Sequence, residues 1–142
     1  MLHTFDINNA ALTIGSYSIS SFASGNAFEV EVDDDNWEIV SGTGGAVTRA
    51  RKNNNVATAK IRLDVGNDAN VYLAKLEKSD RENGTGVVTL LFREYNGNGR
   101  VQAQNAFVTK HAAQSYGDSP EVIEWELKLV GWEITPSSLN PA

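Results

Sequence analysis

The sequence predicts a mainly β fold: a β-sandwich or open barrel of about eight strands with one flanking α-helix. Strict alternation of apolar and charged residues marks residues 27–33 (AFEVEVD) and 121–129 (EVIEWELKL) as half-buried strands. Turn-forming clusters of Gly, Asn and Asp punctuate the chain at short intervals. Residues 66–83 alone combine helical spacing with a start and a stop signal.

Taken in order, residues 5–21 read as two short strands around a turn at Gly15, with Phe5, Ile7, Leu12, Ile14, Tyr17 and Ile19 as the apolar positions. In 27–33, Phe28, Val30 and Val32 share one face and Glu29, Glu31 and Asp33 the other. Asp34-Asp35-Asn36 ends that strand, and Trp37 to Val40 begin the next. Gly42-Thr43-Gly44-Gly45 is a turn, followed by a strand over 46–52 that alternates without an apolar face: Val47, Arg49 and Arg51 on one side, Thr48, Ala50 and Lys52 on the other. A strand of that kind is seldom buried in its own subunit. It is an edge, a projecting ribbon or a surface that another chain covers. After the Asn53-Asn54-Asn55 turn, Ala57, Ala59, Ile61 and Leu63 face a core while Thr58, Lys60 and Arg62 face out.

The helix over 66–83 has Asn67 or Asp68 as its cap and Asn83-Gly84 as its stop. Its apolar side is expected to hold Val71, Tyr72, Leu76 and the stem of Lys75, widened by Leu73. Residues 86–95 (GVVTLLFREY) are nearly continuously apolar, which suggests a strand covered on both faces. Asn96-Gly97-Asn98-Gly99 is a strong hairpin signal, with a return strand over 100–110. A polar loop over 111–120 leads to the longest strand, 121–135, in which Gly131 breaks the period and Trp132 and Ile134 resume it. Residues 136–142 read as a flexible tail on a single domain spanning 1–142.

With 142 residues the chain can bury an ordinary core. A net charge of −6 argues against tight, non-specific binding to nucleic acid or anionic membrane. It is compatible with a channel wall that must not hold DNA. The absence of cysteine excludes disulfides and thiolate-bound zinc. No basic, apolar leader and no membrane-spanning run is read, so synthesis in a cytoplasm and no membrane anchor are expected.

No catalytic constellation stands out, and neither a cofactor nor a metal is expected. Asp33-Asp34-Asp35 is contiguous where a calcium loop alternates its ligands, so it reads as a solvated turn. His3 and His111 lack spaced partners, and Gly42–Gly45 is not followed by the Gly-Lys-Ser/Thr of a phosphate-binding loop. There is no nucleophile elbow, and Asn83-Gly84-Thr85 matches a glycosylation sequon by chance. The one basic cluster, Arg49, Arg51 and Lys52 with Lys60 and Arg62, is expected to meet carboxylates such as Glu29, Glu31, Glu124 or Glu126, or those of a neighbouring subunit, rather than phosphate. A rival function is a carbohydrate- or protein-binding β-sandwich using Trp37, Tyr95, Trp125 or Trp132 as stacking platforms, although alternation places Trp125 in the core. A hydrolase with a loop-built site is the third reading.

Four features, in order along nearly the whole chain, resemble tail tube proteins of contractile-tailed bacteriophages. They are Phe5-Asp6 before the first strand and the Gly42–Arg51 turn and basic strand with its Asn53–Asn55 turn and the strand after it. The other two are the helix start Asn67-Asp68-Ala69-Asn70 with Leu73 and Leu76, and Glu121-x-x-Glu124-Trp125-x-Leu127. Glu124 is a departure, since a basic residue often precedes the Trp in that family. Such proteins are similar to the haemolysin-coregulated protein of type VI secretion. The resemblance implies a virion structural protein, made in the bacterial cytoplasm, whose homo-hexameric rings stack into a tube. Its partners would be copies of itself, the tape-measure protein, the tail sheath and the baseplate or tail initiator proteins, with DNA only as passing cargo. Gly42, Gly44, Gly45, Arg49, Arg51, Lys52 and Asn54 are then the expected inter-subunit assembly residues.

Overall fold

The computed structural model describes residues 6–19, 22–23, 27–119 and 121–138. The readings of His3, of Phe5 before the first strand, of residues 20–21 and of residues 139–142 in the tail fall outside them.

The fold is mainly β and sandwich-like, with nine strands and one α-helix among the described residues. Seven strands form one sheet in the order β2-β1-β7-β8-β9-β6-β3, and β4 and β5 form a separate two-stranded ribbon. The strands are β1 (Ala10–Ile14), β2 (Tyr17–Ile19), β3 (Phe28–Val32), β4 (Trp37–Ser41), β5 (Val47–Arg51), β6 (Val56–Asp64), β7 (Val88–Glu94), β8 (Arg100–Val108) and β9 (Val122–Thr135). The helix α1 spans Asp68–Asn83, between β6 and β7. All pairings are antiparallel.

The period-two pattern places the core. Ala57, Ala59, Ile61 and Leu63 of β6 pair with Leu129, Leu127, Trp125 and Ile123 of β9 in one register, and all eight are buried. Leu12, Ile14, Leu90, Val101 and Ala103 continue the same cluster across the sheet. The sheet curls on this face. Phe28 of β3 stacks on Phe92 of β7, centroids 4.4 Å apart, although three strands separate them in the sheet order. No ladder joins β3 to β7, so the curl is an open barrel.

Gly131 has φ +71°, and on either side of it the inward positions of β9 change parity, from Leu127 and Leu129 to Trp132 and Ile134. The break in period read from the sequence is present in the structure as this change of parity. The facing strand β8 shifts in step, from Ala106 and Val108 to Val101 and Ala103.

The helix begins as expected. Asn67 is the N-cap, its side chain accepting from the Ala69 N–H at 2.9 Å, and Gly84 closes the end with φ 68°. The buried stripe differs from the expected one. It holds Ala69, Asn70, Leu73 and Glu77, with Tyr72 and Leu76 half-buried beside it, and Val71 turns outward. The small Ala69 lets the helix approach closely, and Asn70 finds a polar partner inside, so fit rather than apolar content sets the face. β7 also departs from its reading: its burial alternates, and Leu91 on the second face is exposed. Among the described residues no helix is long and apolar enough to cross a membrane.

Candidate assembly surfaces

The β4–β5 ribbon is exposed along nearly its whole length. Every residue of β5 is exposed, as are Glu38 to Ser41 of β4. Register pairs Trp37 with Arg51, Ile39 with Arg49 and Ser41 with Val47, so these share a face; Glu38, Val40, Thr48 and Ala50 occupy the other. Two Arg guanidinium groups lie over the Trp37 ring, Arg49 at 3.8 Å and Arg51 at 4.7 Å. Ile39 at 71% and Val47 at 69% exposure leave apolar surface with nothing to bury it.

The turn and base of the ribbon are hydrogen-bonded. Gly42 N–H donates to the Ala46 carbonyl at 2.7 Å and Gly45, at φ +80°, donates to the Gly42 carbonyl at 3.2 Å. Lys52 N–H donates to the Asn36 carbonyl at 2.8 Å, and Asn54 Nδ2 to Asp34 Oδ2 at 2.6 Å. The residues singled out in the sequence thus lie together on one ribbon and its base.

The basic cluster divides in two. Lys60 stands in register between Glu29 and Glu126, and Arg62 Nε lies 4.0 Å from Glu124. The Arg62–Glu124 pair is an expected carboxylate contact on the charged face of the sheet, whereas Lys60 makes no ion pair among the described residues. Lys128 adds a bond to Asp33 Oδ2 at 2.8 Å and one to Thr58 Oγ1 at 2.7 Å. Arg49, Arg51 and Lys52 take part in no ion pair among the described residues. The Lys128 ammonium and then the Thr58 hydroxyl hold the Asp33 carboxyl below the usual carboxylate range.

β2 and β3 end the seven-stranded sheet, each with one side unpaired in the ladder among the described residues. The third notable feature is Glu94, only 7% exposed. Its carboxylate accepts from the N–H groups of Asn96 and Gly97 and, at 2.9 Å, from Ser137 Oγ. Ser138 N–H donates to the Gly97 carbonyl at 2.8 Å, so residues 137–138 are tied to the β7–β8 turn. The sequence reading overlooked this carboxylate; its signal was an acidic residue just ahead of the tight Asn-Gly turn, whose free N–H groups need an acceptor.

Of the aromatic platforms of the rival reading, only Trp125 lies in the core, while Tyr95 is exposed and Trp37 and Trp132 are half-buried. Trp125 is fully buried, Trp37 is covered by guanidinium groups, and Arg93 lies 5.2 Å over Tyr95. His111 packs at 5.2 Å from the Trp125 ring. Asp33 and Asp34 bind neighbouring side chains as a solvated turn does, and no group of three His, Asp or Glu residues among those described is placed to hold a metal.

No family model and no curated protein matches the sequence. Solved structures do. A chain in the cryo-EM structure of the anti-feeding prophage cap, the AFP tube-terminating cap, superposes with TM-score 0.65 at 13% identity, over 96% of this chain and 94% of that one. A chain in the PVC sheath/tube terminator of an extracellular contractile injection system, in the extended state, gives 0.66 at 12% identity, over 95% and 99%. One in the extended PVC sheath-tube complex gives 0.60 at 14%, over 93% of each. At these identities the likeness is one of fold. The chain has a fold found in contractile injection systems, and the resemblance read from its motifs is matched at that level.

Proposed function

We propose that this chain is a non-enzymatic tube subunit of a contractile phage tail or a related injection particle. Copies join side by side into rings of about six, and the rings stack into a conduit. A sheath surrounds the tube, a tape-measure protein and then DNA pass through it, and a tail initiator seeds it. The observation that carries this reading is the β4–β5 ribbon, a hairpin with apolar residues on both faces and no core of its own. Covering Ile39 or Val47 with a neighbour contributes about 1.5–3 kcal/mol each, enough over several subunits to drive assembly. The unpaired sides of β2 and β3 supply edges that neighbours can extend. The fold shared with chains of a tube cap and of sheath-tube complexes supports the same reading.

Sedimentation of the purified protein over a range of concentrations tests it. The expected result is a species of about six copies of the 15.4 kDa chain, or a heavier polymer. A single species of subunit mass at every concentration contradicts it.

A further inference from the structure

The turn between β7 and β8 carries two glycines that its own backbone does not require. Its left-handed residue is Asn98, at φ 59°, while neither Gly97 nor Gly99 has φ in that region. Both glycines are buried, although the turn ends a hairpin. What covers them is the chain after β9. Pro136 has no N–H and cannot extend the ladder, and the two residues that follow it cross the turn. A Cβ added at Gly97 would lie 2.9 Å from the Ser137 Cβ and 3.2 Å from the Ser138 carbonyl oxygen. One added at Gly99 would run into Ser137 Oγ and lie 3.1 Å from the Ser137 Cβ. Space for Ser137, and not backbone freedom, thus accounts for both glycines.

The cradle is matched in chemistry as well as in shape. Glu94 Oε2 accepts the Ser137 hydroxyl at 2.9 Å, and the Gly97 carbonyl accepts the Ser138 N–H at 2.8 Å. A hydroxyl and the next N–H along the chain therefore meet two acceptors held by one turn. Glu94 is 7% exposed and makes no ion pair among the described residues. Its buried charge is met by neutral donors, the N–H groups of Asn96 and Gly97 and the Ser137 hydroxyl.

The turn is also held by bonds that do not involve Ser137 or Ser138. Glu94 N–H donates to the Gly99 carbonyl at 2.8 Å and closes the hairpin. On the side of β1, Tyr95 N–H donates to the Asn9 carbonyl at 3.1 Å, and Asn9 Nδ2 donates to Asn96 Oδ1 at 2.6 Å. Ser137 and Ser138 are themselves exposed. A segment placed in that way opens at lower free energy than the core strands.

We propose that the β7–β8 turn is a built receptor for residues 137–138, and that these residues form a latch which docks and releases while the fold stays intact. Docked, the latch buries Glu94 and fixes the direction in which the chain leaves β9. Released, it uncovers a carboxylate and a carbonyl spaced for one hydroxyl and one N–H, a site that takes a short extended segment bearing Ser. Every contact lies within one chain, so the latch does not depend on assembly.

Amide hydrogen exchange of the full chain, read at Ser138, tests this. Gly99→Ala blocks the cradle without asking for a left-handed alanine. Exchange at Ser138 should then speed up by about tenfold or more, with the amides of β6 and β9 unchanged. Ser137→Gly alone loses the bond to Glu94 and should also speed it. Combined, the two should restore part of the protection, since removing the Ser137 side chain makes room for the added Cβ. Glu94→Gln, which keeps the shape and weakens the acceptor, should give an intermediate rate. Exchange at Ser138 unaltered by Gly99→Ala overturns the cradle. Loss of protection that spreads through β6 and β9 means that Gly99 serves the fold, and overturns the latch. Losses that add in the double variant overturn the fit between the two positions. Protection that rises with protein concentration overturns a latch closed within one chain.

Discussion

The indole Nε1–H of Trp125 donates to Oδ1 of Asn70 at 2.9 Å, deep in the core, and Asn70 Nδ2 donates in turn to the Asp64 carbonyl at 3.0 Å. One amide thus joins the longest strand, the end of β6 and the first turn of α1. Asn70→Leu is expected to leave the indole donor and the carbonyl unsatisfied and to destabilise the protein by about 1–3 kcal/mol. Urea unfolding measures this. In a double-mutant cycle, Trp125→Phe with Asn70→Leu should cost less than the sum of the single changes, because each removes the same bond. Strict additivity would show that the bond contributes nothing.

Asp33 gives stability a pH dependence. Its carboxyl is held below the ordinary range by the hydrogen bond from Lys128 and then by that from Thr58. A depressed folded pKa means that the unfolded chain takes up the proton first. The stabilisation is therefore complete above the unfolded value of about 3.9 and is lost as pH falls through the lower, folded value. Asp33→Asn should flatten the stability profile on the acid side of about pH 4 and leave its shape near neutrality unchanged. Denaturation curves at a series of pH values decide; an unaltered acid limb in the variant means that the pair is not coupled to folding.

Gly86 follows the helix where the chain turns into β7. A Cβ there would lie 2.4 Å from the Asp80 Cβ and 2.7 Å from the Leu76 carbonyl oxygen. Gly86→Ala is expected to cost about 1–3 kcal/mol through overpacking. Gly44→Ala on the ribbon, where an added Cβ meets nothing within 4 Å, should be nearly neutral. Thermal melts of the two variants side by side provide the measurement, and similar losses would contradict the packing at the helix end.

Much of this architecture was legible in the sequence, because the period-two pattern writes a half-buried strand directly. Ala57 to Leu63, Ile123 to Leu129 and the break at Gly131 all sit as read. The lack of an apolar face on 46–52 correctly marked β5 as a strand outside the core. The face of α1 was not legible, since Val71 is more apolar than Ala69 yet exposed, and the helix turns inward the face that brings Asn70 to Trp125. Nor was the curl, which depends on Phe28 meeting Phe92 across the sheet. The second face of β7 was misread because Val87 and Leu91 are apolar yet exposed. Of the basic cluster, Arg62 met a carboxylate and Lys60 made no ion pair among the described residues, whereas Arg49 and Arg51 took the ring of Trp37, a cross-strand contact that spacing along one strand does not reveal.

Glu94 fastens the start of the C-terminal tail. Glu94→Ala removes the acceptor for the Asn96 and Gly97 N–H groups and for Ser137 Oγ. Residues 137–138 should then be cut faster by a non-specific protease, with the body of the domain intact. Ser137→Ala, which removes one of the bonds, should give an intermediate rate. Equal cleavage in all three proteins would mean that the tail is not held through this carboxylate.

Arg49→Glu with Arg51→Glu reverses the charge of the ribbon without touching the core. Loss of the guanidinium contacts to Trp37 should change stability by no more than about 1 kcal/mol. Circular dichroism should match the parent, while assembly falls away. Normal polymer formation by this double variant would remove the ribbon from the assembly account.

Negative-stain electron microscopy of the purified protein, alone and seeded by a tail initiator, tests the central claim most directly. The account predicts rings with an open centre that stack into tubes of uniform diameter. Dispersed single subunits at high concentration, with no ring or tube after seeding, would contradict it.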